Sequence, residues 1–250
     1  MRRAVKREAM RTERRMSDAI NLVLRSQFVV AKARRVWHTM NFDWVASDEW
    51  ADEIYRLTHG LIRMEADHAA SSAAKALNVS LTDFAERPRV IRALKDHTYR
   101  FARAVNDSTA DALAKTMASG TERGESVEAL TERVSKVFGY ADDENYRARR
   151  IARTESARAY TTGEEELWKE TGVVEAKVWD AARDACPFCI AMNGKTVALG
   201  QVFFKQGADQ VVKWEGKDIV LHHGYLPVEG PPLHPNCRCA LAAQLMKIYE

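Results

Sequence analysis

The placement of the cysteines constrains this chain more than any other feature. All four lie in two short segments, Cys186-Pro187-Phe188-Cys189 and, 44 residues further on, His234-Pro235-Asn236-Cys237-Arg238-Cys239. A Cys-x-x-Cys turn aims two sulfurs into one volume, and the second segment supplies further donors. A fold that joins the two segments therefore offers the soft N/S ligands of a tetrahedral zinc ion. Zinc in a structural role is the expected cofactor, with Cys186, Cys189, His234, Cys237 and Cys239 as candidate ligands. His234 sits between Pro232 and Pro235, whose fixed φ angles suit a ligand position or a tight structural turn. The competing readings are one or two disulfides, or buried free thiols.

The rest of the composition is that of a globular protein. Hydrophobic residues make up 46% and charged residues 29% of 250 positions, enough for one large or two modest cores. No run of about 18 apolar residues is present, so no membrane-spanning helix is expected. The basic N-terminus lacks an apolar stretch behind it, so no secretory signal is expected. Synthesis in a reducing cytosol then favours a metal over disulfides. The net charge of +3 is too small to announce a nucleic-acid binder. It is uneven, however: Arg2, Arg3, Lys6, Arg7, Arg11, Arg14 and Arg15 stand against Glu8 and Glu13. Such a run suits contact with nucleic acid or an acidic surface, though more often it is a solvated helix face or a frayed end.

The first 160 residues read as helix, with Pro88 the one proline before Pro187 and many strong helix formers. Asp18 is the expected N-cap of a helix carrying Ile20, Val23, Leu24, Val29, Val30, Val36 and Trp37. An aromatic loop at 41–46 leads to a second helix from Asp48 to about Leu77. A break at 78–88, with Ser80 or Thr82 as a cap, precedes a third helix over 90–117. Gly120 and Gly124 bracket a turn, Ser126 caps a helix that Gly139 stops, and Asp142 or Asp143 starts a last one ending near Tyr160. After Gly172 the pattern changes to strands over 173–179, 195–197 and 202–204, and a hairpin over 211–221 turning at Glu215-Gly216. The fold class expected is α+β: a long-helical N-terminal region, residues 1–125, then a small zinc-closed α+β domain with short antiparallel strands, residues 126–250. Trp37, Phe42, Trp44 and Trp50 give the front helices more apolar surface than a slender bundle buries, which points to docking on a partner.

The ordered set Arg153-Thr154-Glu155, Trp179, Asp184 with Cys186-Pro187-Phe188-Cys189, Gly194-Lys195 and Pro231-Pro232-Leu233-His234-Pro235-Asn236-Cys237-Arg238-Cys239 resembles the phage Mu F-like, or SPP1-type, minor head (head morphogenesis) protein family. The resemblance covers roughly residues 125–243. It implies a low-copy head component of a tailed bacteriophage or prophage, assembled in the host cytoplasm and placed in the virion at the head interior or portal vertex. Its implied partners are the portal protein or the major capsid protein, with packaged DNA as a further contact for the basic N-terminus and no membrane. Family members often end the last motif Cys-Arg-Ser. The resemblance thus implies Cys186, Cys189, His234 and Cys237 as the zinc set, with Cys239 as the alternative to His234.

Two other classes of function compete with this reading. An enzyme would need His222-His223 assembled with Asp184 or Asp180 into an acid–base pair, but adjacent strand residues point apart. A cysteine-rich zinc set is also normally closed, leaving no position for water. No enzymatic activity is expected, and with 11 residues after Cys239 no payload domain is expected either. A zinc-dependent nucleic-acid module would align Lys205, Lys213, Lys217 and Arg238, with Trp214 or Phe204 for stacking. Arg153 and Glu155 diverge by about 200° on a helix, so Glu155 is expected to pair with Arg238 or Arg183 behind the metal loops.

Overall fold

The computed structural model describes residues 2–34, 36, 41–80, 84–139 and 146–246. Helix makes up 62% of the structure and small antiparallel sheets accompany it, an α+β arrangement as expected. The described helices are α1 (Arg2–Ala33), α2 (Asp48–Ala76), α3 (Pro88–Glu122), α4 (Val127–Phe138), α5 (Tyr146–Thr171) and the single turn α6 (Pro187–Ile190). The strands are β1 (Val174–Asp180), β2 (Thr196–Ala198), β3 (Asp209–Trp214), β4 (Lys217–His222) and β5 (Ala240–Leu245). The chain forms two compact units, Met1–Ile62 with Arg92–Arg153, and Arg63–Ile91 with Thr154–Glu250.

In the first unit, α1 buries Met16, Ile20, Val23, Leu24 and Ala31, a three-and-four spacing that lays one stripe into the core. Asp18 is an exposed mid-helix residue and not a cap: with no Gly or Pro before it, nothing stops the helix from starting at Arg2. Val29 is exposed, whereas the buried amide of Gln27 donates to Asn106 Oδ1 at 3.0 Å. Gly120 lies inside α3, where an added Cβ would stand 2.6 Å from Leu130 of α4, so it serves a close helix contact and no turn. Ser126 caps α4 as expected, its Oγ accepting from Ala129 N at 3.3 Å, and Gly139 ends it in the left-handed region. Phe42 and Val45 are buried and Trp44 and Trp50 half-buried, so these aromatics are largely absorbed within the unit. Exposed apolar surface on α1 is instead carried by Met10, Leu22 and Val29. Trp37, Thr82, Asp142 and Asp143 lie outside the described residues, and Ser80 caps no described helix.

In the second unit, α5 runs on past Tyr160 to Thr171, because no breaker intervenes before Gly172. It crosses α2 closely, since a Cβ on Gly163 would sit 2.2 Å from the Ala66 carbonyl oxygen. The three-stranded sheet has the order β2-β1-β5, antiparallel throughout, with Val178 opposite Thr196 and Trp179 opposite Leu241. Strand β5 was not foreseen: its run of alanines has weak strand preference, and pairing with β1 decides its state. The foreseen strand at 202–204 reduces to one bridge, Phe204 to Val228. The hairpin β3–β4 forms as expected, with positive φ at Glu215 (48°) and Gly216 (78°) matching a tight primed turn.

Central strand β1 carries an unforeseen buried charge. Lys177 is fully buried and donates to Glu165 Oε2 at 2.6 Å, while Glu165 also accepts from Gly200 N at 3.0 Å. Burial pushes the Glu165 carboxyl up, but Lys177 and Lys169 outweigh it and hold it low. Burial likewise holds the Lys177 ammonium low. The pair fastens α5 to the strand leading into the first cysteine loop.

Candidate metal centre

Cys186 is the N-cap residue of α6 and Pro187 its first residue, a position where the missing N–H costs nothing. Ile190 N donates to Cys186 O at 2.9 Å, and the single turn sets Cys186 and Cys189 three apart on one side. The loop is secured from outside by Gln210, whose side-chain amide donates to Phe188 O at 2.9 Å. Before it, Trp179 N donates to Lys195 O at 2.9 Å and Gly194 N to Trp179 O at 2.8 Å, which explains why the Trp and Gly-Lys motifs accompany the cysteines. Trp179 is buried edge-on against Phe203, ring centroids 5.2 Å apart.

The second loop contains a cis Pro231–Pro232 bond, and Asn236 takes a φ of 63°. Cys237 N donates to His234 O at 3.1 Å, and Asn236 N donates to Thr154 Oγ1 at 3.2 Å. Thr154, the middle residue of the Arg-Thr-Glu motif, is thus the helical anchor of this loop. Gly230 passes so close to α5 that a Cβ would lie 2.7 Å from Thr161. Neither role is visible in the sequence, because each depends on where α5 passes.

The two loops meet. Cys186 Sγ and Cys189 Sγ lie 3.1 and 3.3 Å from His234 Nε2, and Cys189 Sγ lies 3.7 Å from Cys237 Sγ. The five candidate donors form two overlapping triads, Cys186–Cys189–His234 and Cys189–Cys237–Cys239, within each of which all ligand atoms fall within 4.8 Å. Cys189 belongs to both. All four cysteines are free thiols, so the disulfide reading does not hold; the 3.7 Å separation far exceeds an S–S bond of about 2.05 Å. It matches the edge of about 3.8 Å between sulfurs bound to one zinc at about 2.3 Å. His234 Nδ1 donates to Pro235 O at 2.9 Å, so the Nε2 lone pair faces the two sulfurs. That tautomer and that backbone partner are what a ligating imidazole needs.

Cys189 and Cys237 are buried with Trp179, Met192, Val228 and Leu233, while Cys186 and Cys239 pack at the edge of that cluster. The hydrogen bond from Cys189 holds the Cys237 thiol low, and the same contact, with burial, pushes Cys189 up. Burial raises Cys239. The cluster therefore favours a thiolate at its centre, which a cation would complete.

The remaining motif residues are placed differently from expectation. Glu155 is buried and pairs with Arg158 on its own helix at 3.4 Å, and burial raises its carboxyl despite Arg158. Arg238 instead pairs with Asp184, tying the two cysteine loops together at the surface. Arg153 pairs with Glu13 at 3.1 Å. The acid–base constellation is not assembled: His222 pairs with Asp209 at 2.7 Å, and His223 is buried against the Phe204 ring. The cationic row is not continuous either, since Arg238 is held by Asp184, and Lys213 and Lys217 share the hairpin with Asp209, Glu215 and Asp218.

These features define a helix-rich α+β protein whose C-terminal fold converges on a cysteine–histidine centre. The phage Mu protein F-like family matches residues 111–242, more than half of the chain, and the chain belongs to that family, one of phage head morphogenesis. No curated protein and no solved structure matches it. Among the described residues, no helix is long and apolar enough to cross a membrane.

Proposed function

We propose that the chain is a non-enzymatic minor head protein of a tailed bacteriophage or prophage, acting at the portal or capsid interior during head assembly or DNA delivery. Within it, one structural zinc ion closes the C-terminal fold. The family match supports the head role. The observation that carries the metal is the convergence of donors from two loops 44 residues apart on the shared Cys189. His234, with its Nδ1–H engaged by Pro235, fits as the nitrogen ligand beside Cys186, Cys189 and Cys237. Cys239 touches only the far triad and stands as the reserve donor.

Thiol counting and metal analysis test the site together. Protein purified under reducing conditions should carry one zinc and leave one reactive thiol, Cys239, with four reactive thiols after chelation. No reactive thiol in the zinc form would exchange Cys239 for His234, and a metal-free protein with an intact fold would overturn the site.

The exposed Leu22 and Val29, one heptad apart on α1, are the surface best suited to a portal or capsid partner. Leu22→Glu with Val29→Glu should block incorporation into heads while leaving zinc content unchanged. Normal incorporation of that variant would move the contact elsewhere. Arg11, Arg14 and Arg15 are also exposed on α1 and suit contact with packaged DNA.

A further inference from the structure

The β3–β4 hairpin has two unlike faces. Its strands pair only with each other among the described residues. Inward, Gln210 is buried against the first cysteine loop, and Leu221 packs on the Trp179–Cys189–Cys237 core. Outward, three cross-strand pairs follow in order: Asp209 with His222, Val211 with Val220, and Lys213 with Asp218. All six are exposed, the valines to 61% and 57%. Two adjacent β-branched residues left in water on a two-stranded sheet call for a cover.

The charges on this face identify what covers it. The apolar pair is flanked at each end by an acid and a nitrogen donor, and the order reverses between strands: acid then base along β3, with the opposite group facing each on β4. A second copy rotated by a two-fold axis in the plane of the hairpin meets this pattern with its complement. With the axis along the strands, Asp209 faces His222 and Lys213 faces Asp218; with the axis across them, Asp209 faces Lys213 and His222 faces Asp218. Valine meets valine in both. A self-complementary patch is the condition for an isologous contact. Nucleic acid or an anionic membrane would instead require a face without two carboxylates.

We propose that the outward face of the β3–β4 hairpin pairs with the same face of a second copy of this chain. Six side chains cover well under the roughly 800 Å² per partner of a standard interface, so the contact is weak between free molecules. It strengthens when copies are held side by side on a larger assembly.

Sedimentation velocity of the full chain tests this. The wild type should shift from monomer to dimer at about 0.1–1 mM, and Asp218→Lys, which sets two lysines together in one two-fold and removes the acid facing His222 in the other, should abolish the shift. A cationic copy (Asp209→Lys with Asp218→Lys) and an anionic copy (Lys213→Asp with His222→Asp) should each stay monomeric and form a one-to-one complex when mixed. A hairpin merely unfolded by these substitutions would not be rescued by mixing. Adding Val211→Ser with Val220→Ser to the anionic copy, which removes its apolar pair and leaves the charges unchanged, should weaken the complex about 10-fold or more. A wild type that remains monomeric at 1 mM, an Asp218→Lys protein that still dimerises, a mixture that fails to associate, or a complex unaffected by the two serines would each overturn the proposal.

Discussion

Gly163 and Gly60 both sit inside long helices, yet alanine should act on them with opposite sign. At Gly60, on exposed α2 surface, an added Cβ meets nothing within 4 Å, so only helix propensity changes, a gain of about 1 kcal/mol. At Gly163 the same Cβ would lie 2.2, 2.7 and 2.8 Å from the carbonyl oxygen, Cα and carbonyl carbon of Ala66. All three are backbone atoms, so no rotamer change relieves the clash and α2 and α5 must separate by about an ångström. Overpacking of this kind costs about 3 kcal/mol, against about 1 gained from propensity. The net loss of about 2 kcal/mol corresponds to a Tm lower by about 4–8 °C, whereas Gly60→Ala should raise it by about 2–4 °C. Calorimetry on the two variants reads both signs in one experiment. A Gly163→Ala protein that melts at or above the wild type would show that α2 and α5 do not cross at this residue.

Two further outcomes follow from buried charges in the same unit. Lys177→Met removes the buried partner of the Glu165 carboxylate, leaving it Lys169 and Gly200 N, and should destabilise by about 1.5–3 kcal/mol, while Lys177→Met with Glu165→Gln should recover most of that loss in denaturant melts. An equal loss in the double variant would show that the pair's charges are not what matters. Burial pushes Glu164 up to about 8. The folded chain therefore holds a proton that the unfolded chain releases near 4.5. This favours folding fully below about pH 4.5, and the advantage is lost as pH rises towards 8. Glu164→Gln should flatten that decline and stabilise the protein at pH 8 by on the order of 3 kcal/mol. Parallel stability–pH curves for the two proteins would refute the assignment.

How much of this architecture the residues announce depends on the range of the interaction that decides it. Ser126, Gly139 and the Glu215-Gly216 turn were legible because a cap or a primed turn is settled within four residues. The two cysteine loops were legible for the same reason, each being a short segment with its own geometry. Asp18 misled because a cap residue is only a cap where the chain before it cannot be helical, and here it can. Strand β5 was hidden because alanines adopt the state that a neighbour such as β1 imposes. Lys177 was hidden because a strand lysine reads as exposed unless its carboxylate partner, twelve residues away on α5, is known.

The same distinction separates the two donors that spacing leaves equivalent. His234 is fixed from α5: Thr154 Oγ1 accepts from Asn236 N, and Cys237 N closes onto the His234 carbonyl. Cys239 is fixed from the sheet, since the next residue, Ala240, pairs with Asp180 of β1. A perturbation of α5 should therefore reach one donor and spare the other. Thr154→Val keeps the shape of the side chain but removes the acceptor, loosening the turn that carries His234. If His234 is the fourth ligand, zinc affinity should fall about 10-fold or more, as when other groups that orient a ligand are removed. Competition with a chromophoric chelator measures this directly. Unchanged affinity in a folded Thr154→Val protein would assign the fourth position to Cys239, and with it the role of metal closure to β5 instead of α5.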